Sequence, residues 1–584
     1  IFEKREIFMK QMKTEGKEMP VSADLVFFNG KIAKVDRKFG FCTAIAVKDG
    51  WIIDIGSDEE MKCHIGEATE AVDLNGRLML PGSQDCHTHA CLAGLYKMPW
   101  FLDVGADKVS CLADLRKILA EAAAETPKGQ WIMGSGLSPG SIKECADAQR
   151  QITRWDIDEA VPEHPVWLAN SGLHHILVNT KALELAGITK DTPDLERHEG
   201  KIQRREDGEP TGYLDDFMLM DKVGRVSPRL SDGQLRECIR LIQKEMNENG
   251  VTSHTDMVGI GGDYLFAGTG GSRVIDMYEQ MAKEGELTAR VSVNIMAGLN
   301  GLSTYDSIIG GAAAKKVPAL TDRKWVDACA VKLFGDSMWL RPDGRKTGGS
   351  SYFPGNTIEE QQEEITRTIV ELHRMGYQIG IHSTGGCGID TIVDAYVKAM
   401  ELYPGKNLRH FVIHGDDFSE DNMKKCAKNH IVLSSQAVAP WGFMESLVDC
   451  VDPEEPSHMF DYQRFMDNGV VVSQGSDAPC MTVNWLMGLK FAMTRTTVSG
   501  TCYNRGNGCT IEDGIRMYTI NGAYQNHRED VTGSIEVDKL ADLQVLDTDI
   551  FEISPEQFDD VRVVMTVTGG KIVYSREQDS IRIV

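Results

Sequence analysis

The repeating signal along this chain is a long amphipathic stretch that stops at glycine or asparagine and runs at once into a short apolar segment. Residues 356–376, NTIEEQQEEITRTIVELHRMG, show it best. Ile358, Ile365, Ile369 and Leu372 recur at helical spacing and make one apolar stripe. Thr357 and Glu360 have the spacing of a capping box, and Gly376 is the stop. The run YQIGIHSTGG follows directly and closes in His382. SDGQLRECIRLIQKEMNENG before VTSHTDM, and SEDNMKKCAKN before IVLSSQ, repeat the scheme. Helix, stop, short buried strand, polar tip is the alternation of a parallel sheet.

The pattern predicts strands at 78–89, 251–256, 290–297, 327–336, 378–383, 409–414, 431–436 and 469–477. Eight such strands close a (β/α)8 TIM barrel of the α/β class. The gap between the first two exceeds one crossover, so a large insertion is expected at about 95–250. It has its own strand-like pieces, WIMGSG and PVWLANSG. The chain ends read differently. Residues 22–56 alternate apolar and polar positions, with Asn29-Gly30 and Asp49-Gly50 as hairpin signals. ADLQVLD and VRVVMTVTGGKIVYS repeat that style, with Gly569-Gly570 at a turn. The expected division is a frayed lead-in over 1–21, a small β-sandwich domain assembled from 22–81 and 530–584, and the barrel with its insertion over 82–529.

Chemistry in such a barrel gathers where strands end. The segment LMLPGSQDCHTHA, residues 78–90, reads as a buried strand ending in His87-Thr88-His89. The two-residue strand period points both imidazoles the same way, and neutral imidazole is the commonest metal ligand. The later tips carry Lys332 in CAVKLFGDS, His382 in IGIHSTGG, His414 in FVIHGDD and Asp477 in VVSQGSDAP. A single histidine at a strand end is more often just hydrogen-bonded; the convergence of four with a lysine and an aspartate carries the weight. Lys332, in an apolar strand, is either salt-bridged to Asp336 or a neutral amine that has taken up CO2. Asp477 is either a helix N-cap or a carboxylate facing a cation.

Composition narrows the field. Apolar residues are 42% of the 584, enough for a sizeable core. A net charge of −25 argues against a nucleic-acid partner, and no apolar run has the length of a membrane span. The first twenty residues are charged throughout and lack a signal-peptide core. Fourteen cysteines stand singly, which favours reduced thiols and excludes a Cys-rich zinc finger. A cytoplasmic protein acting on a small-molecule substrate is the expectation.

The pieces PGSQDCHTHA, GEPTGYLDD, VKLFGDS, IHSTGG, SQGSDAP, RMYTINGAY and GSIEVDKLADLQVLD resemble the amidohydrolase superfamily, in its YtcJ-like or amidohydrolase-3 branch, over residues 22–576. The resemblance implies that His87 and His89 bind a buried metal and that His382 and His414 bind a second, more exposed one. It implies that Lys332 bridges as a carbamate in members with two metals, and that Asp477 binds metal and moves protons. His174, in SGLHHILVN, falls where the branch has a histidine in its insertion and is a candidate substrate contact. A homodimer is the assembly the branch implies. Zinc suits these ligands, as one or two ions, and manganese or iron fit the same set. The reaction expected is hydrolysis of a C–N bond in an amide, formamide or cyclic amide, by metal-activated water with Asp477 as general base and then acid. His382 polarises the carbonyl if one metal binds. Trp339 and Arg341, close behind the Lys332 strand, and Gln436 complete the expected substrate wall, with Arg341 placed to meet a carboxylate. Trp100, Trp131 and Trp441 are weaker candidates, and Cys387 and Cys480 passive lining. The chain departs from the branch at Gly385-Gly386, where an acid is usual, and at Ile413, where Glu is usual, so a relative's substrate is not carried over. Deamination of a ring amine uses the same residues. A non-catalytic metal-binding regulator of the same fold is the alternative from another class.

Overall fold

The computed structural model describes all residues except 1–20, 194, 196–199, 216, 260–261, 299–303, 314–323, 337–352, 417, 449–458, 577–581 and 584. Among the described residues, eight parallel strands form the central sheet in chain order. They are β1 (Ser83–Thr88), β2 (Val251–Val258), β3 (Arg290–Met296), β4 (Val326–Phe334), β5 (Gln378–Ser383), β6 (Phe411–His414), β7 (Val432–Ser435) and β8 (Val472–Gln474). The segment after β8 returns to β1 through backbone bonds from Asp477 N to His87 O (2.7 Å) and His89 N to Ala478 O (2.8 Å). The sheet is thereby closed into a (β/α)8 barrel.

The expected first strand, 78–89, is two strands. Leu78–Pro81 pairs antiparallel with Leu543–Leu546, outside the barrel. β1 begins two residues later and pairs with β2. Gly82 stands at the crossing, where an added Cβ would lie 2.1 Å from Thr252 Oγ1. The helix Ile358–Met375 has the expected Thr357–Glu360 capping box, and Gly376 ends it with φ +90°. Ile365, Ile369 and Leu372 are buried, but Ile358 is 58% exposed. It occupies the first helical position, ahead of the layer its neighbours bury against.

Strands from both chain ends build two further sheets. One contains Leu25–Phe28, Ala44–Lys48, Trp51–Gly56, Glu70–Asp73 and Arg582–Ile583; the other contains Lys31–Ala33, Phe41–Cys42, Leu78–Pro81, Leu543–Leu546, Val563–Thr568 and Lys571–Ser575. They share a core that includes Phe27, Val47, Met79, Val545 and Val567. Each such side chain contributes about 1.5–3 kcal/mol by leaving water. Asp49-Gly50 and Gly569-Gly570 are hairpin turns. Asn29-Gly30 is not: it carries the chain from one sheet to the other, with Asn29 at φ +54°.

The insertion holds a six-stranded mixed sheet with Leu102–Asp103 at one edge and Lys201–Arg204 at the other. The two strand-like pieces are Ile132–Leu137 and Val166–Asn170, paired in parallel. Leu115, Ile132, Leu168 and Leu177 give this sheet a core of its own. No described helix is long and apolar enough to cross a membrane.

A buried ion pair ties the barrel to the terminal sheets. Arg290, on β3, donates from Nε (2.7 Å) and Nη2 (2.9 Å) to the two oxygens of Asp542, both side chains being 2% exposed. Asp542 also accepts from Gly569 N at 2.7 Å. Asp542→Ala leaves the guanidinium buried without its counter-charge, so the expected loss is about 3–5 kcal/mol. A shifted urea midpoint for the first unfolding transition is the readout.

Candidate active site

The site is assembled at the C-terminal ends of the barrel strands. The turn after β1 is held from β2: Thr88 Oγ1 donates to Thr255 O (2.9 Å), and Ala90 N donates to Asp256 Oδ1 (2.8 Å). Tyr278 Oη donates to the other Asp256 oxygen at 2.6 Å. These bonds fix the backbone on either side of His89. On the far side of the seam, Ser476 N donates to Asp85 Oδ1 at 2.8 Å. Gly475 permits that approach, since a Cβ there would lie 2.5 Å from His87 N.

Asp477 Oδ1 lies 3.2 Å from His87 Nε2 and 3.5 Å from His89 Nε2. Ring centroids of His87 and His414 are 5.4 Å apart, and those of His382 and His414 4.5 Å. Asp477 (φ +56°) and His414 (φ +71°) both adopt left-handed backbone. For residues with a Cβ that conformation costs on the order of 1 kcal/mol and is concentrated at functional sites. His414 Nδ1 donates to Gln436 Oε1 at 2.6 Å, which leaves Nε2 as the acceptor. Gln436 thus orients a histidine as well as lining the cavity.

Burial keeps the imidazoles uncharged. It holds His89 and His414 down to about 3 and His174 to about 4, with Lys332 adding to the effect in each case. His87 and His382 are likewise pushed well below the ordinary imidazole value, first by burial. Lys332 falls to about 7, burial outweighing the attraction of Asp477. Its Nζ stands 4.8 Å from the centre of the Phe334 ring. No ion pair joins Lys332 to Asp336 in the described structure. The Asp336 carboxylate faces the turn after β5 instead.

His87, His89, His174, Lys332, His382, His414, Gln436 and Asp477 all line one cavity of about 280 Å³. Trp339 and Arg341 lie outside the described residues. Trp100 is exposed, Trp131 packs on the core beneath the insertion, and Trp441 packs beside the helix Trp485–Thr494. Cys480 lines the cavity, whereas Cys387 stands beside Gln362. The sequence reading missed the wall formed by Phe217, Phe334 and Phe460, and also Asp416. Asp416 had a signal, the acidic pair that follows His414-Gly415; the phenylalanines had none.

These residues fit a divalent cation. Donor atoms of His87, His414 and Asp477 lie within 4.8 Å of one another. Nδ1 of His87 is buried with no hydrogen-bond partner among the described residues. Neutral imidazole and carboxylate are the donors such a cation takes.

A barrel that gathers imidazoles, a lysine and a carboxylate at its mouth is built as an enzyme site, and relatives of this chain are hydrolases. The chain belongs to the amidohydrolase family, whose sequence profile matches residues 70–574. It is 25% identical over 569 residues to the N-substituted formamide deformylase of Arthrobacter pascens, covering 95% of this chain and 98% of that protein. It is 28% identical over 546 residues to YtcJ of Bacillus subtilis, with 91% of this chain and 96% of that protein covered. In fold it matches an uncharacterized metal-dependent hydrolase from Pyrococcus horikoshii, with a TM-score of 0.67 at 18% identity, covering 91% of this chain and 99% of that one.

The buried imidazoles set an acid limit on the metal-free protein. Between the ordinary value of 6.5 and the folded values of about 3 to 4, the unfolded chain binds more protons, so stability falls as pH falls. Asp85 and Asp256, raised by burial to about 7 and about 6, and Asp336, raised by the same cause, oppose this, but the five depressed imidazoles of the site outnumber them. Denaturant midpoints of the metal-free protein are expected to drop steadily from pH 7 to pH 4. A rise over that range would show the imidazoles to be charged in the fold.

Proposed function

We propose that this protein hydrolyses a carbon–nitrogen bond of a small molecule, in an amide, formamide or cyclic amide, with Asp477 moving the proton. The observation that carries the reading is the Asp477 carboxylate, 3.2 Å from His87 Nε2 on the wall of a cavity ringed by neutral imidazoles. The likeness to a protein named for deformylation of N-substituted formamides supports an acyl–nitrogen bond as the target.

His87, His89, His382, His414 and Asp477 are the residues that would hold a divalent cation, zinc by ligand type, with manganese or iron accepted by the same donors. Lys332 joins them once its amine, which burial lowers to about 7 and so leaves partly unprotonated at neutral pH, has added CO2 and released a proton to give a carbamate. A cation bound there supplies Lewis acidity and lowers the pKa of water toward neutrality. Asp477 accepts the proton of the attacking water and returns it to the departing nitrogen, acting as base and then as acid. If one cation binds and leaves His382 free of it, the His382 imidazole, which lines the same cavity, is the group that polarises the carbonyl oxygen. His174 reaches the cavity from the insertion: its ring centroid is 6.0 Å from that of His382 and 5.4 Å from that of Phe217. It serves as a substrate contact.

Asp477→Asn is expected to lower kcat by a factor on the order of 10²–10⁴. The assay follows formate or carboxylate release from a panel of N-substituted formamides, N-acyl amines and lactams. Near-native turnover in that variant, or full activity of the native protein after exhaustive chelation, refutes the mechanism. Ammonia released from aminopyrimidines, with no acyl cleavage, would assign ring deamination instead.

A further inference from the structure

The ladder between β4 and β5 ends at the pair Phe334–His382. Past that point, one backbone bond continues the contact, from Gly335 N to His382 O at 2.8 Å. A side chain then takes over. Asp336 is 3% exposed, and its carboxylate accepts four hydrogen bonds. Oδ2 accepts from Ser383 Oγ (2.5 Å) and Gly385 N (3.2 Å). Oδ1 accepts from Thr384 N (2.9 Å) and Thr384 Oγ1 (3.1 Å). The donors are the three residues that follow His382. The contact is tight, because a Cβ on Gly388 would stand 2.2 Å from Asp336 Oδ2.

We propose that Asp336 is a positioning residue, which fixes His382 and Lys332 relative to each other by clamping the turn after β5 to the end of β4. The inference rests on the reading that these two side chains belong to the cation-holding set. Lys332 lies on β4, four residues before Asp336, which follows the strand's end by two residues, and His382 immediately precedes the clamped turn. β6 holds the other edge of this segment, through the pairs His382–Ile413 and Ser383–His414; without the clamp, the β4 side past His382 would rest on the Gly335 bond alone. A carboxylate suits the task because both its oxygens are acceptors, and the bond from Ser383 Oγ, at 2.5 Å, has the short length of an O–H donor on a carboxylate. An amide in its place turns one acceptor into a donor. That donor would face either Gly385 N–H or Thr384 N–H, and neither can accept.

The test is cobalt(II) binding by Asp336→Asn, measured by competition with a chromophoric chelator and by the visible d–d spectrum, alongside kinetics. Groups that orient metal ligands typically alter metal affinity or activity 10–100-fold. The expected result is cobalt binding weakened 10–100-fold, a changed d–d spectrum, and a fall in kcat with KM altered less than threefold. A merely structural role would lower the denaturation midpoint and leave the cobalt spectrum native. If Asp336→Asn does not fold, the double variant Ser383→Ala/Thr384→Val removes two donors and keeps the carboxylate. It is expected to move affinity and spectrum the same way, by two- to tenfold. Native cobalt affinity and spectrum in whichever variant folds overturn this inference alone. A native protein that binds no cobalt overturns the functional reading together with it.

Discussion

The backbone hydrogen bond from Asp477 N–H to the His87 carbonyl joins the last barrel strand to the first. The same 2.7 Å contact brings the carboxylate to the imidazole. Barrel closure and site assembly are therefore one event. A single such bond is worth only about 0.5–1.5 kcal/mol, so its neighbours matter. Ser476 N on Asp85, His89 N on Ala478 O and the bare backbone of Gly475 hold the same seam. The left-handed backbone of Asp477 is tolerated because those contacts over-determine it.

Imidazoles held neutral face the cavity beside Asp477, and three further carboxyl groups stand behind them. Asp85, Asp256 and Asp336 are each buried, and each accepts from backbone N–H groups of a turn next to a histidine or to Asp477. A buried carboxylate is tolerable only when its lone pairs are used. Here they are used on the loops whose position sets the site. Tyr278 on Asp256 adds a further layer, so the rigidity of the mouth is built from strands and their anchors rather than from the loops themselves.

The donors were legible because each ends or closely follows a segment whose apolar pattern announces a strand. β2 was harder. Its sequence VTSHTDMV is buried at all eight positions although five are polar, and only the Gly250 stop before it marked the strand. The division at Gly82 was hidden, since LMLP and SQDCHT read as one run and separate only through close packing on Thr252. Asp336 was legible as an acid near Lys332 but not as the partner of a turn nearly fifty positions on, a relation that exists only once β4 and β5 pair. Phe217, Phe334 and Phe460 meet from separate segments. A lone phenylalanine has no spacing that separates wall from core.

The terminal sheets carry a consequence for biogenesis. Leu78–Pro81 lies beside Leu543–Leu546, which in turn pairs with Val563–Thr568. On the ribosome, at about 5–20 residues per second, roughly 20–90 s separate the synthesis of the first of these strands from its partner. Throughout that interval Met79 and Leu80 present an uncovered apolar edge, the kind that templates aggregation. A chain cut short before Leu543 would keep every donor of the site yet leave that edge permanently open. Such a fragment is a client for chaperones or proteases rather than a smaller enzyme.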